Sequence, residues 1–443
     1  MRAYFLRRLL LIPLTLLGVT FLVFCITRFV PGGPIEQMLQ QQVTGSLTGG
    51  KASAQGGSLA DENDVERLEE LFNLQEPIGT AYLQWLGVLP TKTQISKAEF
   101  GEDNRTAIML SGEGSLLAVE RRGNGAAAVS YSAGSLADWE ARGWTLALES
   151  PRDRAERWAR RKHIGDENLI AERAASQLCN RWRATACRKR FAGILQGHFG
   201  QSYKYNESVW SMMARRLPVS IYFGLLGALI TYAVSLPLGI AKAIRHKSWF
   251  DNATSALIFF GYAVPGFALG AVLVVYLGAR LEIFPLCGLT SPGFEEMGFW
   301  EQTKDLLHHT ALPLLCYVVS TFAVVTMMMK NNAMENLSAD YMRAAMAKGL
   351  SFRRAVVRHA VRNSIIPIAS GLGGLLSVIV GGSILIERVF DIQGFGLLSY
   401  QALMDKDYSL IMGTLLLTSF LLLLGNLLAD VLVALIDPRI QFK

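Results

Sequence analysis

Few residues in this chain have the types and spacing that chemistry demands, and each group falls short of a reactive site. Gly45-Ser-Leu-Thr-Gly-Gly50-Lys51-Ala52 approaches the phosphate loop Gly-x4-Gly-Lys-Ser/Thr. Ala52 leaves no hydroxyl for magnesium, and neither a strand before it nor a helix after it is suggested. His308-His309 has no further ligand at metal spacing and reads as interfacial. Cys179 and Cys187 admit two readings. An oxidising compartment favours a local disulfide; placement on one helix would hold two free thiols too far apart to join. Among the other cysteines, Cys25 and Cys316 fall in apolar stretches, where a thiol acts as a small hydrophobe. No catalytic pair and no metal set emerges, so the expectation is a chain that is not an enzyme and binds no cofactor itself.

The residues that could transmit force are more informative. Asp340 to Pro367 is a basic, helix-prone stretch between two long apolar segments. Within it Tyr341, Ala344, Ala345 and Lys348 fall at i, i+3, i+4 and i+7, one face of a short helix. Two alanines let that face approach another surface closely. Gly349 is suited to the left-handed turn that ends a helix, and Ser351 to capping the next one. Arg343 stands beside this face. The loop 335–362 therefore reads as a rigid knob, against the blander alternative of a basic loop on anionic headgroups.

Such a knob needs a membrane bundle behind it. Hydrophobic residues make up 51% of the 443, and mean hydropathy is +0.29. Six apolar runs, near 9–30, 217–241, 253–280, 311–329, 364–386 and 409–436, reach the length of about 20 residues that a bilayer requires. The first carries Arg2, Arg7 and Arg8 but is too long for a signal-peptide core and lacks a cleavage site, so it reads as an uncleaved span. Lys and Arg gather at 2–8, 242–247, 330–362 and 439–443, while 281–310 and 387–408 are acidic. Cytoplasmic loops hold the excess of Lys and Arg, which predicts cytosolic N- and C-termini. The net charge of +7 thus reports topology rather than a nucleic-acid partner.

The predicted organisation is a first helix over 1–31, an extracytoplasmic insert over 32–210, and a five-helix core over 211–443. The fold class is all-α and polytopic, with six transmembrane helices and an α+β insert between helices one and two. A segment as long as the insert must hold its own structure. Gln40 to Ser58 reads as linker, and Asp61 to Leu74 as a helix. Four short apolar runs, 106–111, 116–120, 126–131 and 144–148, read as antiparallel strands, and 151–190 as a mostly helical return. Small and polar residues in the later spans, Ser377, Ser383 and Asn426 among them, are candidates for lining a path, although such residues more often serve close helix packing. Asp430 shares a helical face with Asn426, near the end expected at the cytosol.

Several motifs, in order, carry a resemblance. Pro31-Gly-Gly-Pro34, Gly197-His-Phe-Gly-Gln-Ser202, Tyr262-Ala-Val-Pro265, Arg343-Ala344-Ala345-x3-Gly349, Glu387-Arg-Val-Phe-Asp-Ile-Gln-Gly394-Phe-Gly396 and Asp437-Pro-Arg439 resemble the B-type permeases of oligopeptide and dipeptide ABC importers. The resemblance covers residues 1–38 and about 190–443. It implies a bacterial inner-membrane subunit that moves peptides inward without catalysis of its own. It also implies partners: a second permease subunit, two cytosolic ATPase subunits or domains that use the ATP, and a periplasmic substrate-binding protein. Two departures stand out. Arg343 occupies the position where the general pattern has Glu, and much of 40–185 has no counterpart. Nickel chelates or another small solute are the alternative cargo. A membrane-anchored sensor does not explain the six runs, and an ion-coupled transporter would show buried acidic relays, which the central runs lack.

Overall fold

The computed structural model describes residues 2–29, 76–110, 115–122, 126–131, 136–161, 165–176, 180–202, 204–372 and 381–436. The expected linker at 40–58, the helix at 61–74, the Pro31–Pro34 and Asp437–Arg439 motifs, Cys179 and Ser377 lie outside them. Two compact units result: residues 1–29 with 200–443, and residues 30–199.

Helix α1 (Arg2–Phe29) opens the first unit. The second unit begins with α2 (Ile78–Leu86) and then alternates strands with short helices. Its strands are β1 (Thr91–Glu99), β2 (Arg105–Met109), β3 (Leu116–Arg122), β4 (Ala126–Tyr131), β5 (Trp144–Glu149) and β6 (Arg183–Arg190). Helix α3 (Leu136–Ala141) precedes β5, and α4 (Pro151–Arg161) and α5 (Glu167–Ala175) follow it. Two three-stranded antiparallel sheets form, in the orders β1-β6-β5 and β2-β3-β4. Phe100, Ile108, Leu117, Val119, Trp139, Trp144, Ala184 and Ala186 are buried in their shared core. The mostly helical return expected over 151–190 therefore holds for α4 and α5 and fails at 183–190. There the chain is the middle strand, with Ala184 and Ala186 facing inward. Arg183 is buried with them because Glu149 on β5 accepts its Nε and Nη2 at 3.0 and 2.7 Å.

The first unit resumes with α6 (Val209–Ile244), α7 (Trp249–Ala263) and α8 (Gly266–Leu273), which continues as a π-helical stretch to Arg280. Then come α9 (Phe299–Ser338), α10 (Asp340–Ala347), α11 (Phe352–Ala355), a π-helical turn over Val356–Ala360, and α12 (Val361–Gly371). Helices α13 (Ile384–Val389), α14 (Phe395–Met404) and α15 (Tyr408–Ile436) complete it.

Leu6–Phe29, Val209–Ile244 and Tyr408–Ile436 are each long and apolar enough to cross a membrane. Two further pairs qualify if each bent pair is one span: Trp249–Ala263 with Gly266–Arg280, bent by 85°, and the two halves of α9, bent by 44°. The single run expected at 253–280 is thus broken. Pro265 disfavours helical geometry in the residue before it, and Val264 is extended at φ −93°, ψ 119°. The run expected at 364–386 includes 373–380, outside the described residues. Helices α6 and α9 are joined by hydroxyls: Tyr222 to Thr310 at 3.0 Å, Thr231 to Thr321 at 3.2 Å, and Ser235 to the Phe322 carbonyl at 3.3 Å. Such bonds hold helices together where water offers no competing partner.

Candidate functional site

The charged segment after α9 is built on one buried methionine. Helix α9 stops where Ala339 turns extended, at φ −71° and ψ 147°, and α10 starts at once. Met342, fully buried, packs with Ala355, Val356 and Ala360, and Ile240 of α6 and Leu337 of α9 lie against this cluster. With that side anchored, the rest of α10 faces outward. Tyr341, Arg343, Ala344, Lys348 and Gly349 are exposed, and Ala345 is half-buried. Arg343 meets Asp340 at 3.7 Å with both side chains in solvent, a contact of small energetic weight. Gly349 sits at φ +92° and donates its N–H to the Met346 carbonyl at 2.9 Å. Ser351 occupies the capping position of α11, yet its hydroxyl makes no cap bond. Its carbonyl instead accepts the Ala355 N–H at 2.9 Å.

Sequence reasoning missed part of this surface. Met346, Phe352 and Val357 are exposed by 39%, 48% and 65%, giving the basic knob an apolar share that a purely solvated loop would not carry. Their signal was present as large apolar residues inside a charged run.

The segment is tied to the bundle at two points besides Met342. Arg362 donates from Nε and Nη2 to the Ile436 carbonyl at 3.1 and 2.8 Å, placing a cation at the negative end of α15. Asn332 of α9 donates to the Ser364 carbonyl at 3.3 Å. The helices behind the segment are joined by a buried charge cluster. Lys330 of α9 bridges both carboxylate oxygens of Asp251, at 2.7 and 2.8 Å. Lys242 of α6, fully buried, lies 3.1 Å from the same carboxylate. It also donates to the Asp251 carbonyl, Thr254 and Ser255 at 2.9, 2.7 and 2.8 Å. The charge pattern of the sequence assigned these lysines to a loop surface; they instead bolt α6, α7 and α9 together. Removing one partner of such a cluster leaves a buried charge without compensation.

The other expected site residues lie apart from this segment. Ser383 precedes α13, its N–H donated to Tyr317 at 2.9 Å. Asn426 is exposed midway along α15. One turn on, Asp430 pairs with Arg8 and accepts the Tyr4 hydroxyl at 3.1 Å, which ties α15 to α1. Cys187 is a buried free thiol on β6, not on a helix, 3.1 Å from the Thr145 hydroxyl. His309 is buried in a loop-fastening network, with its Nε2 3.1 Å from Ser291, which donates to Asp305 at 2.6 Å. Among the described residues no group of three or more His, Cys, Asp or Glu is placed to hold a metal.

The described unit is thus a helical bundle with membrane-length elements and an anchored, outward-facing basic segment, the architecture of a polytopic membrane protein. Residues 235–442 match the family described as binding-protein-dependent transport system inner membrane component. The YejB peptidoglycan transport system permease protein of Agrobacterium fabrum is 38% identical over 248 residues, 55% of this chain and 68% of that one. The YejB inner membrane ABC transporter permease protein of Escherichia coli O157:H7 gives the same identity and coverage. The DppB dipeptide transport system permease protein of Lactococcus lactis is 34% identical over 249 residues, 56% of this chain and 77% of that one. The chain belongs to this family of ABC-transporter permeases, in its oligopeptide and dipeptide branch.

Proposed function

We propose that this protein is the permease subunit of a peptide importer, driven by separate ATPase subunits through α10. The observation that carries the reading is the two-sided helix: Met342 clamped inside, and Tyr341, Arg343, Ala344 and Lys348 presented outside, with Ala345 at the edge and Gly349 closing the turn. An ATPase groove that seats the outer face moves the helix as a body, because its inner face is packed rather than free. The push passes through the Met342 cluster to α6, and α9 carries it to α7 through Lys330 and Asp251. Packed elements with two stable arrangements convert such a local push into a tilt.

In this reading the chain crosses the bacterial inner membrane six times with cytosolic termini, pairs with a second permease subunit, and lines a peptide path that includes Ser377, Ser383 and Asn426. ATP stays on the partner subunits. The extracytoplasmic insert meets a soluble peptide-binding protein. Names of relatives that move dipeptides support peptide cargo. The test is purification of the full chain from its native membrane at mild detergent concentration. Two cytosolic ATPase chains and a second permease should copurify, and be lost from Ala345→Asp, which sets a charge into the docking face. A chain that purifies alone, or keeps its ATPases in the Ala345→Asp variant, contradicts coupling through α10.

A further inference from the structure

Just beyond α10, the chain carries charge that nothing nearby in the sequence balances. From Tyr341 to Ile386 there is no Asp or Glu. Arg353, Arg354 and Arg358 are exposed, and among the described residues none of their guanidinium groups pairs with an acid or donates a hydrogen bond. Arg354 and Arg358 stand one turn apart, an arrangement of like charges that costs stability unless an anion joins them. Phe352 and Val357 are exposed beside them, while Ala355, Val356 and Ala360 turn inward to Met342. Helix α11 and its π-helical turn are thus two-sided: apolar within, and outside basic with two large hydrophobic side chains. Arg362 sets the depth of this face. It donates to the Ile436 carbonyl at the end of α15, a helix long and apolar enough to cross a membrane. Arg358 lies one turn earlier, about 6 Å along the axis, within a headgroup layer roughly 5–8 Å deep. Arg353 and Arg354 are a further turn out, and their long side chains can reach back to the same layer.

We propose that the outward face of 352–358 is a docking surface for anionic phospholipid headgroups: Arg353, Arg354 and Arg358 hold lipid phosphates, while Phe352 and Val357 enter the boundary between headgroups and acyl chains. A basic face that also carries large apolar side chains is the composition that binds a membrane surface, and each cation near an anionic leaflet adds to the attraction. A phosphate between Arg354 and Arg358 turns their repulsion into two charge-assisted contacts. The permease reading, on which the cytosolic placement rests, gives the ATPase groove the other side of the segment, where Tyr341, Ala344 and Ala345 lie on α10. The segment then has two partners: α10 meets the ATPase, and 352–358 meets the leaflet. Attachment to headgroups makes the α11 turn a fulcrum, so that a push on α10 pivots the helices behind it instead of sliding the whole segment along the membrane.

Hydrogen exchange on the full chain tests this in nanodiscs of phosphatidylcholine alone or mixed with phosphatidylglycerol. After correction for intrinsic rates, amides 352–358 should exchange at least about tenfold more slowly when phosphatidylglycerol is present. Changing Arg353, Arg354 and Arg358 together to Gln should abolish the difference, and changing them together to Lys, which keeps the charge, should retain it. Inorganic phosphate added to the phosphatidylcholine discs should leave exchange unchanged. Equal exchange of the wild type in the two lipids overturns the proposal. So does a lipid effect that survives in the Gln variant, is lost from the Lys variant, or is reproduced by inorganic phosphate. ATPase chains that copurify with the wild type should stay with the Gln variant; their loss would assign this face to the ATPase instead. Exchange requires neither ATPase nor cargo, so the two readings fail separately. Copurification without the lipid effect refutes this surface alone, and the lipid effect without copurification refutes coupling through α10 alone.

Discussion

Replacing Gly349 separates the shape of the turn from the surface it presents. Nothing lies within 4 Å of where its Cβ would be, so a side chain meets no clash, and any loss must come from the backbone at φ +92°. An L-residue in the left-handed region costs roughly 1–2 kcal/mol, and Asn tolerates it better than others. At about 1.4 kcal/mol per factor of ten, Gly349→Ala should lower the population of the native turn by about fivefold to thirtyfold against its competitors. Val, branched at Cβ, should lower it further, and Asn should stay near wild type. The assay is the ratio of peptide uptake to ATP hydrolysis for the assembled transporter in liposomes. The expected order is Gly, Asn, Ala, Val. A loss that follows side-chain size, with Asn worse than Ala, would show that residue 349 acts as contact surface. Wild-type coupling in the Val variant would refute the role of the turn altogether.

Asp251→Asn strands two buried lysines and should destabilise the purified chain by about 3–5 kcal/mol; thermal unfolding should show a lower midpoint, with recovery when Lys242→Met and Lys330→Met are both added to Asp251→Leu. In the insert, burial raises the Glu149 carboxyl, but Arg183 and Arg157 outweigh it and hold the group below its ordinary value of 4.5. Its stabilisation is therefore complete above about pH 4.5 and lost as pH falls through the lower folded value. Trp144 fluorescence should report acid unfolding that Glu149→Gln makes less steep. Single cysteines at Ser248 and Ser338, in a background without native cysteines, should react in intact cells only with permeant reagents, and one at Ser111 with an impermeant reagent; external labelling at Ser338 would invert the topology. Deleting 76–196, bridged by a flexible linker, should leave ATPase assembly intact and slow delivery from the binding protein, and undiminished delivery would remove that role from the insert.

The long apolar helices and strands β2 to β5 could be read from the chain because each carries its own hydrophobic run. Strand β1 reads Thr-Lys-Thr-Gln-Ile-Ser-Lys-Ala-Glu and β6 Arg-Ala-Thr-Ala-Cys-Arg-Lys-Arg. Neither has such a run. Their strand character comes from partners distant in sequence, above all the Glu149 that makes burial of Arg183 tolerable. The same limit applied to the membrane unit. A basic residue near the end of an apolar run reads as a loop charge, and only the packed helices reveal that Lys242 and Lys330 meet Asp251 in the interior. The spacing of Tyr341, Ala344, Ala345 and Lys348 was visible because it is local; the anchoring of Met342 depends on residues from four other elements and was not.

The place of β6 in its sheet also bears on how the chain is made. It is the last strand of the insert to leave the ribosome, and it is the one to which both β1 and β5 pair. Until residues 183–190 arrive, those two strands have no neighbour, and contacts so distant along the chain form slowly. The sheet β1-β6-β5 therefore cannot close until the whole segment has been made, whereas β2, β3 and β4 can pair with one another before then.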